Sequence, residues 1–198
     1  MSAELATNLL WVVWYVTWMA AALWSAKTKT QMKTDRCGVH RLLFTLGLLL
    51  LLVPPFGSGK PLFGVALLGW LSQRLWREPV WLEWALFALV VSGFAFCWWA
   101  RLHLGRMWSG FVTLKEEHRV VETGPYGLVR HPIYTGIMFA ALTTALMRAT
   151  PFALLGFALV VAGLAMIASV EERFLRQQLG AESYDAYSRR VPMLIPMV

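Results

Sequence analysis

Cysteine is nearly absent from this chain: two residues in 198, Cys37 in a basic loop and Cys97 inside an apolar run. That argues against a disulfide framework, and no paired-cysteine motif suggests a zinc site. Charge is also sparse, at 15% of residues, and acid is scarcer than base, with 11 Asp and Glu against 18 Lys and Arg. Hydrophobic residues make up 58% of the chain and mean hydropathy is +0.57. A soluble domain of this length rarely has such a balance. The first apolar run lacks a basic segment before it and a clear cleavage site after it, so it reads as a retained span and not a signal peptide. No internal repeat or low-complexity tract is evident.

What is abundant points to a bilayer. Eleven tryptophans suit the membrane–water interface, where indole rings concentrate. The formal charge of +7 fits basic loops beside anionic headgroups better than a nucleic-acid partner. The length fits one helical membrane domain over 1–198, with N-terminal spans in 1–101 and a connector, hairpin and tail in 102–198.

Four apolar runs approach spanning length, about 20 residues for a helix: roughly 5–26, 82–101, 133–148 and 151–170. A fifth, Leu42 to Phe56, ends at Pro54-Pro55. Residues 61–76 are ambiguous, because a helix there would be only about 24 Å long. If that piece does not span and the N-terminus lies outside, fourteen basic residues fall in cytoplasmic segments and four outside. If it spans, the split becomes eight against ten. The positive-inside rule therefore favours about five transmembrane helices, with 61–76 as a short interfacial or re-entrant helix. The resulting expectation is an all-α integral membrane protein with its site and C-terminus cytoplasmic, in the inner membrane if the source is bacterial.

The loop Met147 to Thr150 is so short that 133–148 and 151–170 must form an antiparallel hairpin. Their cytoplasmic ends then become neighbours, bringing Arg130-His131-Pro132 beside Glu171-Glu172, roughly 40 residues away in sequence. Pro132 suits the first turn of a helix. That helix N-terminus, with Arg130 beside it, reads as an anion site. Tyr126 and Tyr134 offer aromatic faces with hydroxyl handles. Gly136 permits close approach of a ligand or another helix. Glu172 has a spacing-matched partner in Arg176 at i+4, which leaves Glu171 the freer carboxylate. Tyr184 and Tyr187 read as interfacial anchors, Trp98 and Trp99 as packing or belt residues, and Gly156 and Gly163 as helix-packing positions. His103, His118 and His131 define no metal geometry. An anion cradle, aromatic faces and carboxylates suit S-adenosylmethionine, whose sulfonium favours such surroundings. NADPH has similar needs with more phosphate, and the residues alone leave both open.

The chain resembles the membrane methyltransferases that include isoprenylcysteine carboxyl methyltransferases and phospholipid methyltransferases. The resemblance covers 102–196. It rests on Leu104-Gly105-Arg106-Met107-Trp108-Ser109, Gly124-Pro125-Tyr126 and Arg130-His131-Pro132-Ile133-Tyr134-Thr135-Gly136. It continues through Glu171-Glu172, Leu175, Leu179-Gly180, Tyr184, Tyr187 and Val191-Pro192. It implies an enzyme that binds S-adenosylmethionine through Tyr126, His131, Tyr134, Gly136, Glu171 and Glu172. It also implies that Arg130 and Glu171 are catalytic, Arg130 by helping to position the methyl-accepting group. The acceptor it implies is lipophilic or a small membrane-partitioning molecule: a prenylcysteine carboxylate, a phospholipid amine or a thiol. An NADPH-dependent reductase of sterol-reductase type and a non-catalytic lipid-binding protein are the alternatives.

Overall fold

Seven α-helices are laid out in chain order in the computed structural model, which describes residues 1–24, 28–31, 38–52, 66–108, 113–115 and 121–196. They are α1 (Ala3–Ala22), α2 (Gly38–Leu52), α3 (Ala66–Leu71), α4 (Val80–Leu104), α5 (Pro132–Arg148), α6 (Pro151–Leu179) and α7 (Ala181–Arg190). Two short strands depart from the all-α expectation. β1 (Thr28–Gln31) pairs antiparallel with β2 (Thr113–Lys115), tying the segment after α1 to the connector after α4.

Helices α1, α4 and α6 are long and apolar enough to cross a membrane, and the protein is an integral membrane protein. Helices α2 and α5, at 15 and 17 residues, are shorter. The helix in 61–76 is reduced to α3, six residues long and about 9 Å at 1.5 Å per residue; 61–65 lie outside the described residues. Helix α2 begins four residues before its apolar run, since a first turn tolerates polar His40 and Arg41. Helix α6 outruns 151–170 because the residues after Val170 are mostly good helix formers. Glu171-Glu172 is therefore mid-helix and not a frayed end.

Glycines set the helix spacing. A Cβ on Gly136 of α5 would lie 2.5 Å from Cys97 Sγ and 2.7 Å from the Gly93 carbonyl of α4. On the other side of the hairpin, a Cβ on Gly47 of α2 would lie 2.7 Å from the Gly156 carbonyl of α6. Helix α5 thus sits between α4 and α6, with α2 along α6 and α1 against α4. The α1–α4 seam is aromatic: Trp14 stacks on Phe94 at 4.8 Å and on Trp18 at 5.1 Å.

Two buried arginines clamp the ends. Arg101 donates to the carbonyls of Gly105, Ala21 and Trp24 and lies 4.4 Å over the Trp108 ring. At the opposite end Arg148 donates to Asn8 Oδ1 and the Leu52 carbonyl. The hairpin turn is tighter than the sequence suggested. Helix α5 runs through Arg148, Ala149 takes a left-handed conformation (φ 53°), and the Thr150 hydroxyl accepts from Ala153 N–H.

Candidate functional site

The hairpin brings Arg130, His131, Tyr134, Glu171 and Glu172 together at one end of α5 and α6. His131 is the N-cap of α5 and Pro132 its first residue, so the chain enters the helix with a fixed φ and no wasted donor. Tyr134 follows one turn later, facing α6. Its hydroxyl donates to Glu171 Oε1 at 2.8 Å, and its ring lies parallel to the His131 imidazole at 5.4 Å. His131 Nδ1 is 3.4 Å from Glu171 Oε2 and Nε2 is 3.2 Å from Glu172 Oε1. One imidazole therefore bridges the two carboxylates, which point about 100° apart on the helix. Burial opposes charge on His131, but its hydrogen bonds to Glu171 and then Glu172 outweigh this and raise its pKa above the ordinary 6.5.

Arg130 is largely committed within the protein. Its Nε donates to Glu172 Oε1 at 2.7 Å and Nη2 to Oε2 at 3.0 Å, a bidentate pair. Its Nη1 donates to the carbonyls of Ser188 and Val191 in the tail. The partner anticipated for Glu172, Arg176, bonds Asp185 of α7 instead. Snorkelling toward headgroups does not describe Arg130 either, since its side chain is only 11% exposed.

Beyond α7 the chain turns back as a strap across the start of α5. Arg130 N–H donates to the Pro192 carbonyl and His131 N–H to that of Met193, while the Thr135 hydroxyl donates to the Leu194 carbonyl. Much of the expected anion cradle is thus met by the protein's own tail. Tyr184 and Tyr187 are not interfacial anchors: both are buried and pack with Val191 and Leu175. The Tyr187 hydroxyl donates to the Tyr126 carbonyl at 2.8 Å, which links the tail to the connector. Tyr126 is buried there under the His103 ring, and burial pushes its phenol above the usual range. Gly136 lies on the α4 side of α5, at the Gly93–Cys97 crossing and away from the carboxylates. The tail carbonyls were beyond sequence reasoning, which reads side chains. The one available signal was the shared helical face of Tyr184 and Tyr187, three residues apart.

Fold and site define a class: a helical membrane protein whose polar centre is assembled from a hairpin and closed by its own tail. Residues 85–177 match the isoprenylcysteine carboxyl methyltransferase (ICMT) family. Among its relatives, protein-S-isoprenylcysteine O-methyltransferase B of Arabidopsis thaliana is 33% identical over 97 residues, 48% of this chain and 49% of that protein. The cobalt-zinc-cadmium resistance protein CzcN of Cupriavidus metallidurans is 30% identical over 98 residues, 47% of this chain and 43% of that one. The chain therefore spans about half the length of the curated relatives it matches. The structure of a eukaryotic intramembrane Ras methyltransferase, an isoprenylcysteine carboxyl methyltransferase, superposes with a TM-score of 0.53 at 19% identity. That match covers 84% of this chain and 55% of the other, and shows a shared fold.

Proposed function

We propose that this protein transfers a methyl group from S-adenosylmethionine to a lipophilic or small membrane-partitioning acceptor, at the site formed by His131, Tyr134, Glu171 and Glu172. The observation that carries the reading is the donor set. Arg130 balances Glu172, and among the described residues Glu171 is met by the Tyr134 phenol and the His131 imidazole. Such a set fits a cation, here the sulfonium and ammonium of the methyl donor, through the carboxylate and the stacked aromatic faces. When bound, S-adenosylmethionine supplies a methyl group activated by positive sulfur. Glu171 and Tyr134 would hold the cationic end, His131 would fix both carboxylates, and Tyr126 and Glu172 would border the site. Gly136 would serve it indirectly, by letting α5 seat against α4. Positioning the reacting atoms in line is then the main contribution of the chain.

Arg130, expected from the family resemblance to place the acceptor, acts in this reading as a brace between α6 and the tail. That same commitment disfavours NADPH, whose phosphates would seek the guanidinium. The relatives are named for isoprenylcysteine, and a prenylcysteine carboxylate is one candidate acceptor beside a phospholipid amine and a thiol. We place five helices across the bilayer, α2 and α5 completing α1, α4 and α6, with the N-terminus outside and the site cytoplasmic. S-adenosylhomocysteine binding to the purified protein tests the function. Glu171→Ala and His131→Ala should each weaken it at least tenfold. Saturable NADPH binding, with none of S-adenosylhomocysteine, would end the proposal.

A further inference from the structure

Both ring nitrogens of His131 face carboxylate oxygens: Nδ1 lies 3.4 Å from Glu171 Oε2 and Nε2 lies 3.2 Å from Glu172 Oε1. A neutral imidazole has one N–H donor and one bare lone pair. In either tautomer it would aim that lone pair at a carboxylate oxygen, which is repulsive. The geometry is satisfied when the bridge holds one more proton and both ring nitrogens donate. Arg130 is committed to Glu172 as a bidentate pair, and the Tyr134 hydroxyl donates to Glu171 without adding charge. Among the described residues the ligand-free cluster is therefore balanced, two carboxylates against a guanidinium and an imidazolium.

That balance decides what can enter. All three bridging side chains are largely buried, and an uncompensated charge seated among them is costly. A methyl donor with a sulfonium, an ammonium and a carboxylate brings a net positive charge. Its product, with a thioether in place of the sulfonium, brings none. The donor keeps the balance only if a positive charge leaves as it arrives. Arg130 does not lose its proton, and the tail carbonyls of Ser188 and Val191 hold it in place. The proton of the His131 bridge is the one that can go.

We propose that seating the cationic methyl donor at Glu171 expels the proton that His131 shares with the two glutamates, so that the site tells donor from product by charge. The inference rests on the methyltransferase reading and adds to it a positioning residue that sets donor–product selectivity. His131 acts as an internal cation that holds both carboxylates while the site is empty. Once neutral, it keeps one N–H for Glu172 and releases Glu171 to the cation of the ligand. Below the titration range of the bridge the donor must displace a proton and the product need not; above it neither does. Donor affinity relative to product therefore rises with pH through that range and then levels off.

The surrounding groups do not supply this proton. The phenols of Tyr134, of Tyr126 in the connector and of Tyr184 and Tyr187 on α7 are neutral near pH 7, and Arg101 of α4 keeps its charge. Two imidazoles approach from neighbouring elements. His40 of α2 lies within electrostatic reach of Glu171, and His103 of α4 lies over the Tyr126 ring. Both serve as controls.

The test is calorimetry on full-length protein in detergent, without acceptor, in buffers of different ionisation enthalpy. The slope of observed enthalpy against buffer enthalpy counts the protons released. Burial opposes the charge on His131, but its hydrogen bonds to Glu171 and Glu172 hold its pKa above the ordinary 6.5. At about pH 6, S-adenosylmethionine should therefore release close to one proton more than S-adenosylhomocysteine. The ratio of their affinities should climb by up to about tenfold per pH unit and level off before about pH 9. The α-amino group is common to both ligands, so its own titration cancels in the ratio. His131→Gln should remove the extra proton and make the ratio independent of pH, whatever its absolute affinity. His40→Gln and His103→Gln should leave the difference as in wild type. Equal proton release by the two ligands in the wild type would overturn the proposal. So would an unchanged difference in His131→Gln, or its loss in either control. A wild type that binds neither ligand would instead overturn the methyltransferase reading beneath it.

Discussion

His131 sits between two carboxylates with its side chain 8% exposed, and that placement has a pH consequence. Burial alone would lower its pKa; the hydrogen bonds to Glu171 and Glu172 leave it raised above 6.5. A group whose folded pKa is raised contributes stability fully present below the unfolded value and lost as pH rises through the folded value. The thermal midpoint of the ligand-free protein in detergent should therefore fall as pH climbs above 6.5. His131→Gln should flatten that slope; an equal slope in the variant would show that another group controls it. The proximity of these residues was legible from loop length alone, because a hairpin leaves its ends no other place to be. Their pairing was not. Spacing suggested Arg176 for Glu172, but Arg130 offers a planar fork that takes both carboxylate oxygens, and an i+4 pair at the surface cannot match that.

At the scale of elements, the helices crossing near the site depend on having no side chain at the contact. A Cβ at Gly136 would lie 2.5 Å from Cys97 Sγ and 2.7 Å from the Gly93 carbonyl, both closer than carbon tolerates. Gly136→Ala should cost about 1–3 kcal/mol, the range for overpacking a close-packed core. The check is denaturation of the ligand-free protein. Adding Cys97→Ala should recover only part of the loss, because it removes the sulfur and leaves the carbonyl. Full recovery would mean that the backbones have room to move apart, and no loss at all would reserve Gly136 for ligand contact. Helix existence and type were readable from apolar runs, since hydropathy is local. Helix ends were not: α2 starts early and α6 continues past its apolar stretch, held by tertiary contacts such as Arg130 with Glu172 and Arg176 with Asp185. The same applies to α7, whose tyrosines looked like membrane anchors but pack on Leu175.

Across the whole molecule, the charged ends are unlike. One end holds Arg101, Arg130, His131, Glu171 and the tail. The other holds exposed Arg74 and buried Arg148, and both are hydrogen-bonded to other parts of the protein. Arg74 donates to Glu4 and to the Met147 and Arg148 carbonyls at the end of α5, where a cation offsets the helix dipole. Arg148 reaches Asn8 and Leu52. The asymmetry of basic residues read from the sequence predicts an orientation in the membrane. The near absence of cysteine makes this orientation directly measurable. Cys97 is fully buried, and Cys37 is the other cysteine of the sequence. A membrane-impermeant maleimide should label the protein in inverted membrane vesicles and leave it unlabelled in intact cells. In a Cys37→Ser background, Ser58→Cys should show the opposite pattern. Labelling of Cys37 from outside intact cells would reverse the topology and place the carboxylate site on the other face of the membrane.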